Sequence, residues 1–312
     1  VIVEASSLSH RYGDRLALDQ VSFSVERGRI FGLLGPNGGG KTTLFRIFAT
    51  LLTPTKGSAR VAGYDVVSQR YRVRTRTGIV FQRPSLDGKL TASENLLHHG
   101  QLYGLAGRQL RSRSAKLLAD FGLSDRAAER VEKLSGGLQR RLELAKALLP
   151  QPAVLILDEP STGLDPGARS EFMDRLQELK TRDQVTSLLT THLTDEADRC
   201  DCIGVLDEGH LIAMGTPADL KATIGGDIIT MFCRNPQQVA NRIHASFGIT
   251  ATAADGVLRI ERDRGHEFVP QLVEAFPGEV QSVTVGRPTL DDVFLHLTGH
   301  RLWRSSIYDE PR

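Results

Sequence analysis

Residues with the types and spacing to handle a phosphoryl group recur along this chain of 312 residues. Gly35-Pro36-Asn37-Gly38-Gly39-Gly40-Lys41-Thr42-Thr43 fits the pattern G-x-x-x-x-G-K-[ST]. Glycines there let backbone amides converge on phosphate oxygens, and a helix starting near Lys41 adds the positive end of its dipole. The Lys41 ammonium is a point charge for the terminal phosphates of a nucleoside triphosphate, and Thr42 offers a hydroxyl to Mg2+. Further on, Val154-Leu155-Ile156-Leu157-Asp158-Glu159 ends an apolar run in two carboxylates. A buried strand of this kind delivers acids to the end of a sheet, where Asp158 can hold Mg2+ through its water shell and Glu159 can act as the base that polarises an attacking water.

Leu134-Ser135-Gly136-Gly137-Leu138-Gln139-Arg140 precedes those acids. A serine N-cap followed by glycines exposes backbone amides at a helix start, which makes a second anion site. In this order and spacing the segment resembles the signature motif of the ATP-binding-cassette ATPases. The resemblance implies ATP and Mg2+ as cofactors and a homodimer in which Ser135, Gly136 and Gly137 grip the nucleotide held by the opposite subunit. It also implies roles for four further positions. Gln82 contacts Mg2+ or the water, His192 steadies the terminal phosphate, Asp165 crosses the dimer interface, and Tyr12 is the aromatic on which adenine stacks. Gly39 stands where relatives commonly carry Ala or Ser, which removes no donor.

The elements that must position these groups are legible as patterns. Strand-like runs occur at Ile2 to Leu8, Val21 to Val25, Ile30 to Leu34, Ala59 to Gly63 and Gly78 to Gln82, with one helix after Lys41. From about 91 to 149 the periodicity turns helical, a helical insertion at about 83–150. Alternation resumes with Ala153 to Leu157, a helix from Ala168 to about Lys180, Val185 to Leu189 and Ile203 to Leu206, as expected for a largely parallel sheet with crossover helices. The expected class is α/β, a P-loop NTPase with a mixed sheet core over residues 1–225. Gly225-Gly226 marks a boundary. Residues 226–312 read strand, helix, strand, strand, helix, strand and a last helix, Leu290 to Leu297, an α+β accessory unit of ferredoxin-like order. Asp291, Asp292 and His296 read as the polar side of that last helix rather than as metal ligands.

The bulk numbers are permissive. With 39 basic and 37 acidic side chains the net charge is +2, and nothing in that balance calls for nucleic acid. No apolar stretch approaches the roughly 20 residues of a membrane span, and Val1-Ile2-Val3-Glu4 lacks the pattern of a signal segment, so the chain is expected to be soluble and intracellular. Val1 in place of Met is compatible with a trimmed start or a non-standard start codon. Cys200, Cys202 and Cys233 lack metal spacing and read as reduced packing residues, and His98-His99 as a solvated or packed pair.

Ser85-Leu86-Asp87, Leu90-Thr91 and Glu94-Asn95-Leu96, with the tail Gly286-Arg287-Pro288-Thr289-Leu290-Asp291-Asp292-Val293-Phe294-Leu295, resemble the drug-exporter subgroup of the family, which includes daunorubicin-resistance-type ATPases. The resemblance implies an ATPase subunit at the cytoplasmic face of the cell membrane that powers efflux through a separate transmembrane permease. A lipid, polysaccharide or nutrient transporter is the alternative within the family, and a soluble ATPase of DNA repair or translation the alternative of another class.

Overall fold

The computed structural model describes residues 1–254, 256–300 and 302, so the last part of the segment 226–312 lies outside the described residues. Contacts divide the chain into two compact units, Val1–Met214 and Gly215–Arg312.

In the first unit, β1 (Val3–Tyr12) and β2 (Arg15–Val25) pair antiparallel before β3 (Ile30–Leu34) leads into α1 (Lys41–Phe48). There follow β4 (Lys56–Val61), β5 (Tyr64–Asp65), α2 (Arg70–Arg74) and β6 (Thr77–Val80). The insertion comprises α3 (Ala92–Leu102), α4 (Gly107–Asp120) and α5 (Gly136–Leu148). Then come β7 (Val154–Asp158), α6 (Pro166–Asp183), β8 (Thr186–Thr191), α7 (Thr194–Ala197), β9 (Cys202–Asp207) and β10 (His210–Gly215).

β2, β1, β4 and β5 form one sheet, and β10, β9, β3, β8, β7 and β6 lie side by side in a second. In the second sheet β9, β3, β8, β7 and β6 run parallel to one another. Every residue of β3, β7 and β8 is buried, which explains the apolar runs of β3 and β7: strands covered on both faces do not alternate. The antiparallel sheet, α1 and the parallel sheet share one core, in which Phe23 stacks on Phe31 at 5.0 Å and meets Phe48 edge-on at 5.9 Å.

Spatial order is what matters for the site. The carboxyl ends of β3, β8, β7 and β6 stand in a row, although the chain visits them in the order β3, β6, β7, β8. The loop before Lys41, His192, the Asp158-Glu159 pair and Gln82 each follow one of those ends.

The second unit opens with α8 (Pro217–Ala222), followed by β11 (Asp227–Cys233), α9 (Pro236–Phe247), β12 (Ala251–Ala254), β13 (Val257–Arg262), α10 (Gly265–Ala275), β14 (Val280–Gly286) and α11 (Leu290–Thr298). Its sheet runs β12-β13-β11-β14, with each neighbouring pair antiparallel. Ile229, Met231, Leu258 and Ile260 turn one sheet face to Val239 and Ile243 of α9 and Phe268 and Leu272 of α10. α8 packs against α11, so the unit begins before the glycine pair at 225–226.

Thr289 caps α11 reciprocally with Asp292, whose carboxylate also pairs with Arg259, and His296 Nδ1 lies 3.2 Å from Glu261. Among the described residues no helix is long and apolar enough to cross a membrane.

Candidate active site

The loop from Gly35 to Gly40 is shaped by contacts that only glycine tolerates. A Cβ at Gly35 would lie 2.0 Å from the Leu206 carbonyl oxygen, and at Gly40, where φ is +106°, one would lie 2.5 Å from that of Ala17. Lys41 opens α1 and is 4% exposed, with Nζ donating to Gly35 O at 2.6 Å and Pro36 O at 2.9 Å. Burial pushes the Lys41 ammonium below its usual 10.5, and the Glu159 and Asp158 carboxylates push back.

The Thr190 hydroxyl ties the two acids together. It donates to Asp158 Oδ1 at 2.7 Å and accepts from the Glu159 amide at 2.8 Å, while Thr42 Oγ1 donates to the same Asp158 oxygen at 3.3 Å. Glu159 has φ +44°, in the left-handed region. Its Oε2 accepts from Gln82 Nε2 at 2.8 Å and from Thr162 Oγ1 at 3.2 Å, and its Oε1 lies 3.5 Å from His192 Nδ1.

The environments shift the two carboxyls in opposite directions. His192, with Lys41 and Thr162 adding, outweighs partial burial and holds Glu159 below its usual 4.5. Burial raises Asp158 above 3.8 against its hydrogen bonds to Thr190 and Thr42. Glu159 is therefore an ionised acceptor at neutral pH, suited to orient and polarise a water.

A hollow of about 150 Å³ is lined by Tyr12, Arg15, Ala17, Asn37, Gly38, Gly40, Lys41, Thr42, Thr43 and Glu159. Tyr12 is 44% exposed at its mouth and packs edge-on against His10. Ser135, Gly136, Gly137 and Asp165 are not among the lining residues. Ser135 is an exposed N-cap whose Oγ accepts from Leu138 N at 3.4 Å, and Asp165 caps α6 through Ala168 N at 2.9 Å.

Several contributors escaped the sequence patterns. Arg15 donates to Gly38 O at 3.2 Å from the start of β2, and Thr162 and Thr190 brace the acids. The basic residue in Tyr12-Gly13-Asp14-Arg15 is a usable signal for the first; the threonines carry none.

The donors near the loop that could hold a metal are oxygens: the Thr42 hydroxyl, the Asp158 carboxylate and the Gln82 amide. Such a set suits Mg2+, a hard ion that retains water and phosphate ligands. Among the described residues no group of three or more His, Cys, Asp or Glu side chains could hold a metal ion.

The profile of the family described as ABC transporter matches residues 18–162. The chain is 43% identical over 296 residues to "Daunorubicin resistance ATP-binding protein DrrA3" of Streptomyces coeruleorubidus, covering 93% of each chain. The chain belongs to the ABC transporter family. It is also 39% identical over 313 residues to "Nod factor export ATP-binding protein I" of Sinorhizobium fredii, covering 97% of this chain and 87% of that one. The fold matches the ATP-binding cassette MJ0796 in a dimeric post-hydrolysis state bound to ADP and Pi, with TM-score 0.63, 26% identity, and 69% and 98% of the two chains covered. This ABC protein is thus an ATP-binding and hydrolysing subunit of the drug-exporter type, with a P-loop α/β fold.

Proposed function

We propose that the chain powers export of a hydrophobic compound, such as a drug, through a separate transmembrane permease at the cytoplasmic face of the membrane. Two copies close on ATP and Mg2+. Lys41 and the loop amides hold the phosphates, Tyr12 faces adenine, and Thr42, Asp158 and Gln82 hold Mg2+. That ion supplies charge neutralisation on the phosphates. Glu159 orients the water, His192 steadies the terminal phosphate, and Ser135, Gly136, Gly137 and Asp165 act across the dimer. The second unit is accessory and supplies none of these groups.

The observation that carries this reading is the meeting of Glu159 with Gln82 and His192 at a hollow floored by Lys41. Support for a dimer comes from Ser135: its glycine-flanked helix start is exposed and lies outside that hollow, leaving its amides for another molecule's nucleotide. Export, rather than a role in DNA repair or translation, is favoured by relatives whose names speak of resistance and export.

Ser135→Arg tests the arrangement, because it blocks that helix start without touching the hollow. ATP binding to the chain should stay within about 3-fold while hydrolysis falls at least about 30-fold, roughly 2 kcal/mol of transition-state stabilisation. Normal hydrolysis by the variant, or full activity in a strictly monomeric species, overturns the dimer. In vesicles carrying the permease, ATP-dependent movement of an amphipathic drug should cease with Glu159→Gln. Transport that continues unchanged overturns the coupling.

A further inference from the structure

Glu159 occupies a backbone conformation that costs a non-glycine residue about 1–3 kcal/mol and persists only where its surroundings impose it. On its amino side the Thr190 hydroxyl receives the Glu159 amide. On its carboxyl side the restraint comes from α5. Arg140, 7% exposed, donates through Nη2 to Glu159 O at 3.3 Å and through Nε to Pro160 O. The same guanidinium donates through Nη1 to Phe81 O at 2.8 Å, the carbonyl next to Gln82. One rigid fork thus spans the main chain at both residues whose side chains meet at 2.8 Å, Gln82 and Glu159.

Glu143, 1% exposed, orients that fork. Its Oε2 accepts from Arg140 Nη1 at 2.5 Å, and its Oε1 accepts from the Ser85 amide at 2.7 Å and the Ser85 hydroxyl at 3.2 Å. Lys146 completes the row, with Nζ donating to Ser85 O at 2.6 Å and Oγ at 2.7 Å. Arg140, Glu143 and Lys146 recur every third residue and so share one face of α5. That face holds the segment after β6 and the turn after β7, on the helix whose N-cap is Ser135.

A buried ion pair is weak grounds for stability, since apolar residues of similar volume often do as well or better. These charges, however, are spent on main-chain carbonyls and amides that flank the reacting groups. We propose that Arg140, oriented by Glu143, is a positioning residue for hydrolysis: it holds the backbone of Glu159 and of Phe81-Gln82 so that carboxylate and amide meet where the water is polarised. The proposal rests on the reading of Glu159 as the water-orienting group. It also makes the geometry of that group depend on where α5 lies.

The test uses Arg140→Lys, which keeps a cation beside Glu143 but cannot span the carbonyls, and the paired variant Arg140→Met/Glu143→Met, which removes both partners of the ion pair together and leaves Lys146 held by Ser85. For both, kcat for ATP should fall at least about 10-fold while KM moves less than about 3-fold and the melting curve stays cooperative. In a Glu159→Gln background, Arg140→Lys should change the residual single-turnover rate by less than about 2-fold, because its effect runs through that carboxylate.

Wild-type kcat in either folded variant overturns the proposal. So does a full additional loss in the Glu159→Gln background. Failure of both variants to fold also overturns it, since Arg140 would then set the fold rather than the site. Wild-type hydrolysis by Glu159→Gln alone is a separate outcome, which removes the underlying reading of Glu159.

Discussion

Glu159 in the first unit and Asp292 in the second are equally buried, each 8% exposed, yet they are held in different ways. Asp292 is satisfied mostly by its own helix start, accepting from the Thr289 amide at 2.8 Å and hydroxyl at 2.6 Å, with Arg259 as its partner from β13. Glu159 meets Gln82, Thr162 and His192 from three separate segments and takes a left-handed backbone to do so. It also borders an open hollow. Burial of a carboxylate therefore does not mark chemistry by itself. The marks are convergence from several strand ends, a backbone conformation that must be imposed, and neighbouring carboxyls whose acidities are shifted in opposite directions.

That contrast can be broken by substitutions on either side. Lys41→Ala should have the largest effect on binding, weakening ATP affinity on the order of 100-fold in an equilibrium titration, because a buried ammonium is lost from the phosphate loop. His192→Ala should lower turnover roughly 10-fold or more with ATP affinity little changed. Asp292→Ala should leave ATP affinity unchanged while destabilising the second unit by about 2 kcal/mol in a denaturant melt, through the exposed helix start and the partnerless Arg259. Thr289→Ala, which removes only the cap, should cost about 1 kcal/mol. A loss of ATP affinity in Asp292→Ala as large as in Lys41→Ala would erase the distinction between the two carboxylates.

Acidity sharpens the comparison within the site. Asp158 is raised above 3.8 by burial and Glu159 lowered below 4.5 mainly by His192. A raised carboxyl takes up its proton at higher pH than an unperturbed aspartate does, so binding of Mg2+-ATP should weaken through the Asp158 transition as pH falls. Titrating affinity downward from neutral pH should show Asp158→Asn abolishing that loss and Glu159→Gln leaving it in place.

Much of this was readable from the chain. Gly35 to Thr43 and the apolar run ending at Asp158-Glu159 carry their chemistry in local spacing, and unbroken apolar runs announced the doubly covered strands β3 and β7. The helix Pro236–Phe247 carries its own end signals, because Pro236 opens it and Gly248, at φ +67°, closes it. β10 was missed, although the Glu208-Gly209 turn before it, with φ +46° and +84°, is a hairpin signal. α2, five residues long, is too short to show a period. Thr190 and Arg140 escaped for a different reason. Their value lies in which main-chain atoms they reach, Glu159 N in one case and Phe81 O and Glu159 O in the other, and those contacts join segments 31, 59 and 19 residues apart.

The most direct measurement is a parallel determination of ATP affinity and single-turnover hydrolysis for Glu159→Gln. The substitution keeps shape and nearly every contact while removing the charge that polarises the water. ATP affinity should stay within about 3-fold of wild type and hydrolysis should fall about 100-fold or more, near 2.7 kcal/mol or beyond in activation free energy. Hydrolysis close to the wild-type rate, with ATP still bound, would contradict the account and hand the water to another group.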